Sequence, residues 1–384
     1  MSAGLPRVVL HVVDGLGLSG KTRNLLALVS HLDRQRFQPI VCRFDTDESP
    51  LIGELAAADV PLHTIACQDG LHPGVAFSVA RLAWSIKADI VHCHNPRPML
   101  YGGLAARAIG IRATVGFLSA FACHVPDRSY AFLPQPLATT SLRNLYRNRI
   151  AAASMRRIVT VSASLGQRFC QYSGVPVEKL RVIAYGADLQ AVDRVTDDQA
   201  RELRRRLGFL ADDIVVGSVG RLVEQKDYPT QLTAFARAAE RISNLRMAIA
   251  GDGPLRPALE RMTRDLAIDD RVRFLGNCDD VPRLLRSVDV FVQSSKFEPF
   301  GVALLEAKAA GLPIVATAVN EIPDIVADGV SGLLTQPHDA ATMAGFFIKL
   351  AEDRDWRARL GARAREEARQ RYDLQTTVSA YESL

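Results

Sequence analysis

Two glutamates, Glu298 and Glu306, stand with seven residues between them in the segment 294–317. Pro299, Phe300 and Gly301 follow the first, and an Ala-rich run ending at Gly311 carries the second. A helix beginning near Gly301 would present unpaired backbone N–H groups, and its dipole would favour a phosphate there. Glu298 falls in the loop just before that end. Glu306 falls one to two turns in, within reach of a ribose lying against the helix start. An anion site flanked by two hydroxyl acceptors is what binding of a nucleotide sugar requires. The plainer alternative for Glu306 is an exposed helix glutamate. Its Ala and Leu neighbours argue for a largely buried helix, where an unpaired carboxylate is costly.

Other chemistry-bearing residues follow other apolar runs. Gly220, Arg221 and Lys226 come after the run 214–219, and two cations on a loop at a strand end can stabilise charge developing on a phosphate. Each taken alone also fits an ordinary surface side chain. His92 and His94 flank Cys93, and strand alternation puts both imidazoles on one face. No carboxylate or further Cys stands at ligand spacing, so no metal is expected. His94 and Asn95 are read instead as acceptor contacts lining a cleft. Asp45-Thr46-Asp47 reads as a solvated acidic loop. The stretch 15–22 fits G-x-x-x-x-G-K-[ST] directly after a strand, so Gly20 and Lys21 lie where a phosphate would be cradled. Triphosphate hydrolysis is disfavoured, because Asp14 is misplaced for the metal-holding aspartate and the rest of the chain has no place in a P-loop enzyme.

These residues need a scaffold that presents strand ends. Short β-branched runs alternate with helical segments, and the pattern predicts strands at 8–13, 39–44, 62–66, 89–93, 113–117, 157–161 and 180–184. In the second half it predicts strands at 214–219, 246–250, 271–275, 289–293 and 313–317. Continuous apolar strands between helices imply parallel sheets covered on both faces. The fold class is therefore α/β, with two doubly wound Rossmann-like domains facing a central cleft, their ligands lying beyond the carboxyl ends of the strands. A chain of 384 residues favours two domains as well. The divisions are expected at 1–190 and 191–365, with a helix at 199–207 opening the second domain. Residues 366–384 are expected as a C-terminal helix packing back on the first domain.

Composition excludes several classes. With 48% hydrophobic and 23% charged residues the chain is an ordinary globular one. No uninterrupted apolar stretch approaches the ~18–20 residues of a transmembrane helix, and no signal peptide is recognised at the N-terminus. Six cysteines (42, 67, 93, 123, 170 and 278) are scattered without a C-x-x-C pair, which suits thiols in a reducing compartment. Residues 1–190 carry 20 Lys and Arg against 12 Asp and Glu, whereas residues 191–384 carry 27 against 30. The excess is densest around Arg143, Arg147, Arg149, Arg156 and Arg157. It reads either as a solvated helical face or as a surface for an anionic partner, a phosphorylated acceptor or an anionic membrane. Nucleic acid is disfavoured, because aromatics are not interleaved with the basic residues.

Taken in order, these segments resemble the family 4 retaining glycosyltransferases, which have the GT-B fold. The resemblance spans nearly the whole chain and is strongest over 214–335. It is carried by VGSVGRLVEQKDYPTQLTAF, by IAGDGPLRPALE, by VRFLGNCDDVPRLLRSVDVFVQSS with the E-x7-E that follows, and by DGVSGLLTQPHD. In the first half, IVTVSASL, AYGADL and ADIVHCHNPRP are similar to the family's strands. The resemblance implies a hexosyl-type transfer from a nucleotide diphosphate sugar to a hydroxyl acceptor with retained configuration. It implies no metal and no cofactor beyond that co-substrate. Arg221 and Lys226 would clamp the diphosphate and Glu298 would hold donor-sugar hydroxyls. The amides of Phe300, Gly301 and Val302 would face the diphosphate, and Glu306 would accept from the ribose. Backbone near 274–279, including Gly276, would read the base. Gly20 stands where the family has a Gly-Gly pair, with Lys21 as an added phosphate contact. The first domain would bind the acceptor, a saccharide or a lipid-linked one, in cell-surface polysaccharide or glycolipid assembly. The expected location is cytoplasmic, peripheral on the inner face of the membrane.

Three departures stand out. Leu118 and Ser119 occupy a stretch where many family members have a His, with His124 further on. Asn320-Glu321 and Asp324 replace a Gly-Gly and a Glu, and Tyr185 replaces an Asn. They keep two alternatives open: a GT-B-fold epimerase or phosphorylase, and a catalytically silent sugar-nucleotide-binding subunit.

Overall fold

The structure, a computed structural model, describes residues 5–17, 20–67, 72–119, 138–298 and 300–384. The apolar runs form two parallel sheets. The first contains β1 (Arg7–Val13), β2 (Phe37–Arg43), β3 (Leu62–Thr64), β4 (Ile90–His94), β5 (Ala113–Leu118), β6 (Arg157–Thr160) and β7 (Leu180–Val182), in the order β3-β2-β1-β4-β5-β6-β7. The second contains β8 (Ile214–Val219), β9 (Leu245–Ala250), β10 (Val272–Gly276), β11 (Val290–Gln293), β12 (Ile314–Thr317) and β13 (Gly332–Thr335), in the order β10-β9-β8-β11-β12-β13. Each predicted strand run forms a strand. β13 was not predicted, because its Gly-Leu-Leu-Thr sits in a polar segment too short to show as an apolar run.

Every residue of β11 and β12 is buried, which is why these strands read as unbroken apolar stretches. Helices cover both faces of each sheet. Leu10, Val12, Val91 and Cys93 anchor one core, and Val216, Phe235, Met247 and Phe347 anchor another. In both sheets the winding reverses beside the first strand, between β1 and β4 and between β8 and β11. Loops leaving the carboxyl ends on the two sides of such a reversal part in opposite directions, which opens a crevice for ligand.

The chain divides into one unit of Met1–Tyr185 with Thr377–Leu384 and another of Gly186–Thr376. The first break therefore falls at Tyr185 and not at 190. The second unit's opening helix, Asp197–Arg206, starts two residues earlier than predicted, because Thr196 and Gln199 form a reciprocal capping box. Helix Arg354–Arg371 runs unbroken through position 366, so the return to the first unit comes only at Thr377, within helix Leu374–Glu382. There Thr377 Oγ1 donates to the Ala184 carbonyl (3.2 Å), and Glu382 accepts from the Asp33 amide (2.7 Å) and from Arg36 (3.1 Å).

Cys42, Cys93 and Cys170 are free and buried. Burial pushes the Cys42 thiol up to about 12, which suits an inert core residue. Cys123 and His124 lie outside the described residues.

Candidate functional site

At the reversal of the second sheet, the loops after β8 and β11 are tied to each other. The Lys296 amide donates to the Gln225 carbonyl (2.9 Å), Gln225 Nε2 donates to the Phe297 carbonyl (2.9 Å), and Ser294 Oγ donates to the carbonyls of Lys226 (3.0 Å) and Asp227 (2.9 Å). These bonds carry Lys226 onto Glu298, and the two form an ion pair. The same carboxylate oxygen accepts from Gln293 Nε2 (2.6 Å) and Ser295 Oγ (3.2 Å). Glu298 is 6% exposed, so its charge is compensated where an unpaired carboxylate would be expensive. The Lys226 stem lies against Gly220, where an added Cβ would sit 3.5 Å from Lys226 Cε. Arg221 is exposed and has no side-chain hydrogen bond or ion pair among the described residues.

Helix Val302–Ala309 begins directly after Gly301, whose φ of 83° would strain any other residue, and an added Cβ there would press to 2.8 Å on Leu304 Cδ1. The first amides of such a helix have no intrahelical acceptor, so its start points donors at the end of β11. Phe300 is buried, and Val302 is the first helical residue. Glu306 lies on the second turn and is half-buried. The two glutamates are thus not a buried pair: only Glu298 is enclosed. The helix is fixed from below by Lys308, wholly buried and paired with Glu367 and the Ile325 carbonyl. Burial pulls the Lys308 ammonium down against the raising influence of Glu367.

Gly276 ends β10 with φ 69°, and its carbonyl accepts from the Gly251 amide (2.7 Å). Gly251 in turn crosses the β8 loop so closely that a Cβ there would lie 2.0 Å from the Gly220 carbonyl oxygen. Gly220, Lys226 and Glu298 therefore meet at one point, with Gly276 joined through Gly251.

In the first unit Lys21, His94 and Asn95 line one small pocket with Asp14, Thr22, Phe117 and Ser119. Gly20 opens helix Gly20–His31, and Lys21 on its first turn is exposed. The P-loop-like stretch is built for support: the Leu16 amide donates to Asp45 Oδ2 (3.2 Å), and Thr22 Oγ1 donates to the Gly17 carbonyl (2.6 Å). The hydroxyl that a P-loop turns toward a metal is thereby used internally. Asp45 is no solvated acid either, since it also pairs with Arg43 (3.4 Å). Ser19 and Leu18 lie outside the described residues, as does Pro299.

Three structural features were not legible beforehand. Asn320 stands at φ 47°, a conformation Asn tolerates in place of Gly, and its Oδ1 accepts from the Glu298 amide (3.1 Å). Gln293 supports the Glu298 carboxylate. His11 on β1 sits opposite His92 on β4 and places its Nδ1 3.3 Å from His94 Nε2. Burial brings His92 down to about 3 and holds His11 and His94 well below the ordinary imidazole value. The pairing register of β1 and β4 was the signal that could have located His11.

Comparison with known proteins agrees with this architecture. The model described as Glycosyltransferase Family 4 matches residues 18–191, and the model described as Glycosyl transferases group 1 matches residues 199–367. The chain is 27% identical to the N-acetyl-alpha-D-glucosaminyl L-malate synthase of Bacillus anthracis, over 81% of this chain and 77% of that protein. It is 35% identical to the lipopolysaccharide core biosynthesis glycosyltransferase LpsE of Rhizobium meliloti, over 46% of this chain and 51% of that one. The structure of Anabaena Alr3699/HepE in complex with UDP superposes with a TM-score of 0.83 at 23% identity, covering 98% of each chain. The chain belongs to the family 4 glycosyltransferases and has their two-domain GT-B fold.

Proposed function

We propose that this glycosyltransferase moves a sugar from a nucleotide diphosphate sugar to a hydroxyl acceptor with retention of configuration and without a catalytic metal. The observation that carries the reading is the Lys226–Glu298 pair beside the start of helix Val302–Ala309. Lys226, Arg221 and the helix start supply positive potential for a departing diphosphate, which is the task a metal performs elsewhere. Glu298, held by Lys226, Gln293 and Ser295, has a second carboxylate oxygen to offer a donor-sugar hydroxyl. Glu306 is one turn further along for the ribose. Lys21, His94 and Asn95 contact the acceptor.

An acceptor carried at an anionic membrane fits the surface of the first unit. Helices Pro73–Ser85, Pro96–Ala108 and Ala138–Ala153 pack side by side. They expose Phe77 (71%), Trp84 (72%), Leu104 (42%), Tyr146 (61%) and Ile150 (52%). Their sequences contain six arginines and no Asp or Glu, and Arg81, Arg107 and Arg149 are exposed among the apolar residues. Exposed aromatics beside Arg81, Arg107 and Arg149, which have no ion pair among the described residues, suit the headgroup region of anionic lipid. Among the described residues no helix is long and apolar enough to cross a membrane, so the proposed attachment is peripheral. The free thiols of Cys42, Cys93 and Cys170 suit the cytoplasmic face.

A panel of UDP-, GDP- and ADP-sugars tests the donor: one should raise Tm, and the product formed with an acceptor should keep the donor's anomeric configuration. An inverted product, or no stabilisation by any donor, sinks the reading. Co-sedimentation should recover the protein with phosphatidylglycerol vesicles and not with phosphatidylcholine vesicles. A Phe77→Ser/Trp84→Ser variant that still sediments would remove the membrane face.

A further inference from the structure

His11, His92 and His94 project from adjacent strands onto one face of the first sheet, and all three are buried, at 1%, 4% and 9% exposure. An imidazole nitrogen from each lies within 4.8 Å of the others. Alternation brings His92 and His94 together on β4, and direct pairing brings His11 opposite His92, so the cluster is set by rigid backbone and not by loops. Among the described residues His92 Nε2 has no hydrogen-bond partner. A buried polar atom left unmatched is costly, and an ion is one of the few things that remedies it. The 3.3 Å between His11 Nδ1 and His94 Nε2 is also the separation of two ligands bound at ~2.0–2.1 Å to one tetrahedral ion, roughly 3.3 Å.

We propose that His11, His92 and His94 bind one transition-metal dication of the zinc class, leaving one coordination position open. The donors are three imidazoles with no carboxylate in the cluster, which selects zinc, cobalt, nickel or copper over magnesium or calcium. A route in exists: His11 and His92 line a cavity of about 480 Å³ whose other walls include Val9, Ile90, Val115, Leu28 and Tyr381. The Tyr381 ring lies 5.5 Å from His92. His94 faces the Lys21 and Asn95 pocket, so the bound ion would stiffen the wall of the proposed acceptor site. The site shares His94 with the proposed acceptor pocket but has no residue in common with the Lys226–Glu298 network, which lies in the other unit.

The test uses the untagged full-length protein loaded with zinc or cobalt(II) and dialysed, followed by metal analysis. One ion per chain is expected, with the intense visible bands of a tetrahedral cobalt(II) centre. X-ray absorption at the metal edge should count three imidazoles. His92→Ala and His11→Gln should each weaken binding by ~100-fold or more, beyond the 10–100-fold that follows from loss of an outer-shell partner. His31→Asn, at an exposed helical site, should bind as the native protein does. No retained metal, or fewer than three imidazoles on the ion, overturns the proposal. The absorption count is made on native protein and holds if a histidine variant fails to fold.

Discussion

At the reversal of the second sheet a carboxylate, an ammonium, an amide and a hydroxyl meet in one hydrogen-bonded network, whereas the first sheet's reversal presents three neutral imidazoles. The winding order around the two reversals is the same. The difference lies in what supplies the side chains. In the second unit Lys226, Ser295 and Glu298 stand on loops clamped to each other, so charge can be held near solvent and still be compensated. In the first unit the strands supply His11, His92 and His94, and enclosure leaves them uncharged. Topology delivers strand ends to a crevice; the position of each residue relative to the strand end decides whether it keeps its charge.

The largest effect should come from breaking the charged network. Lys226→Ala should lower turnover by about 10²–10³-fold, the scale for removing one charge-stabilising donor. It should also cost about 2–3 kcal/mol of stability, because Glu298 keeps Gln293 and Ser295 but loses its cation. Arg221→Ala separates the two effects. Arg221 is exposed and unpaired among the described residues, so its loss should leave stability within about 0.5 kcal/mol while turnover still falls. Urea midpoints and initial rates on the same preparations decide this. Equal stability losses in both variants would show that Lys226 and Arg221 are not differently held.

Next in size is the close crossing of loops that the charged site depends on. Gly251→Ala places a Cβ against the Gly220 carbonyl at φ 128°, and it should cost about 2–4 kcal/mol from strain and overlap. Gly345→Ala, on an open helical position, should be neutral or stabilising by up to about 1 kcal/mol. Thermal unfolding of the two variants side by side checks the contrast. A Gly251→Ala protein as stable as its parent would mean that the β8 and β9 loops are not locked together.

The sequence made the sheets readable because buried parallel strands must be apolar on both faces, and it located Glu298, Lys226 and Gly301 because strand ends and helix starts have local signatures. It did not show that Lys226 and Glu298 pair, since 72 residues separate them and only the β8–β11 adjacency brings them together. His11 was invisible for the same reason: its relation to His92 is a matter of register between strands distant in sequence. Asn320 read as a departure from a glycine pattern. Its positive φ and its bond to the Glu298 amide show that it preserves the backbone shape while adding an acceptor.

That substitution gives the smallest and sharpest test of the charged site. Asn320→Gly removes a hydrogen bond of about 1 kcal/mol from the Glu298 amide but relieves a left-handed conformation, and it also loosens the unfolded chain. The net loss should be about 1 kcal/mol or less. Asn320→Ala loses the same bond and keeps the strain, so it should cost about 1–2 kcal/mol, more than glycine does. If the conformation matters most, turnover should follow the same order, with glycine closer to the parent. If the acceptor matters most, both variants should lose turnover equally, because the Glu298 backbone would be released in each. Urea midpoints fix the first ordering and donor-saturated rates the second. A glycine variant less stable than the alanine one would mean that Asn320 is not held at positive φ, and that the bond to Glu298 alone accounts for its place in the site.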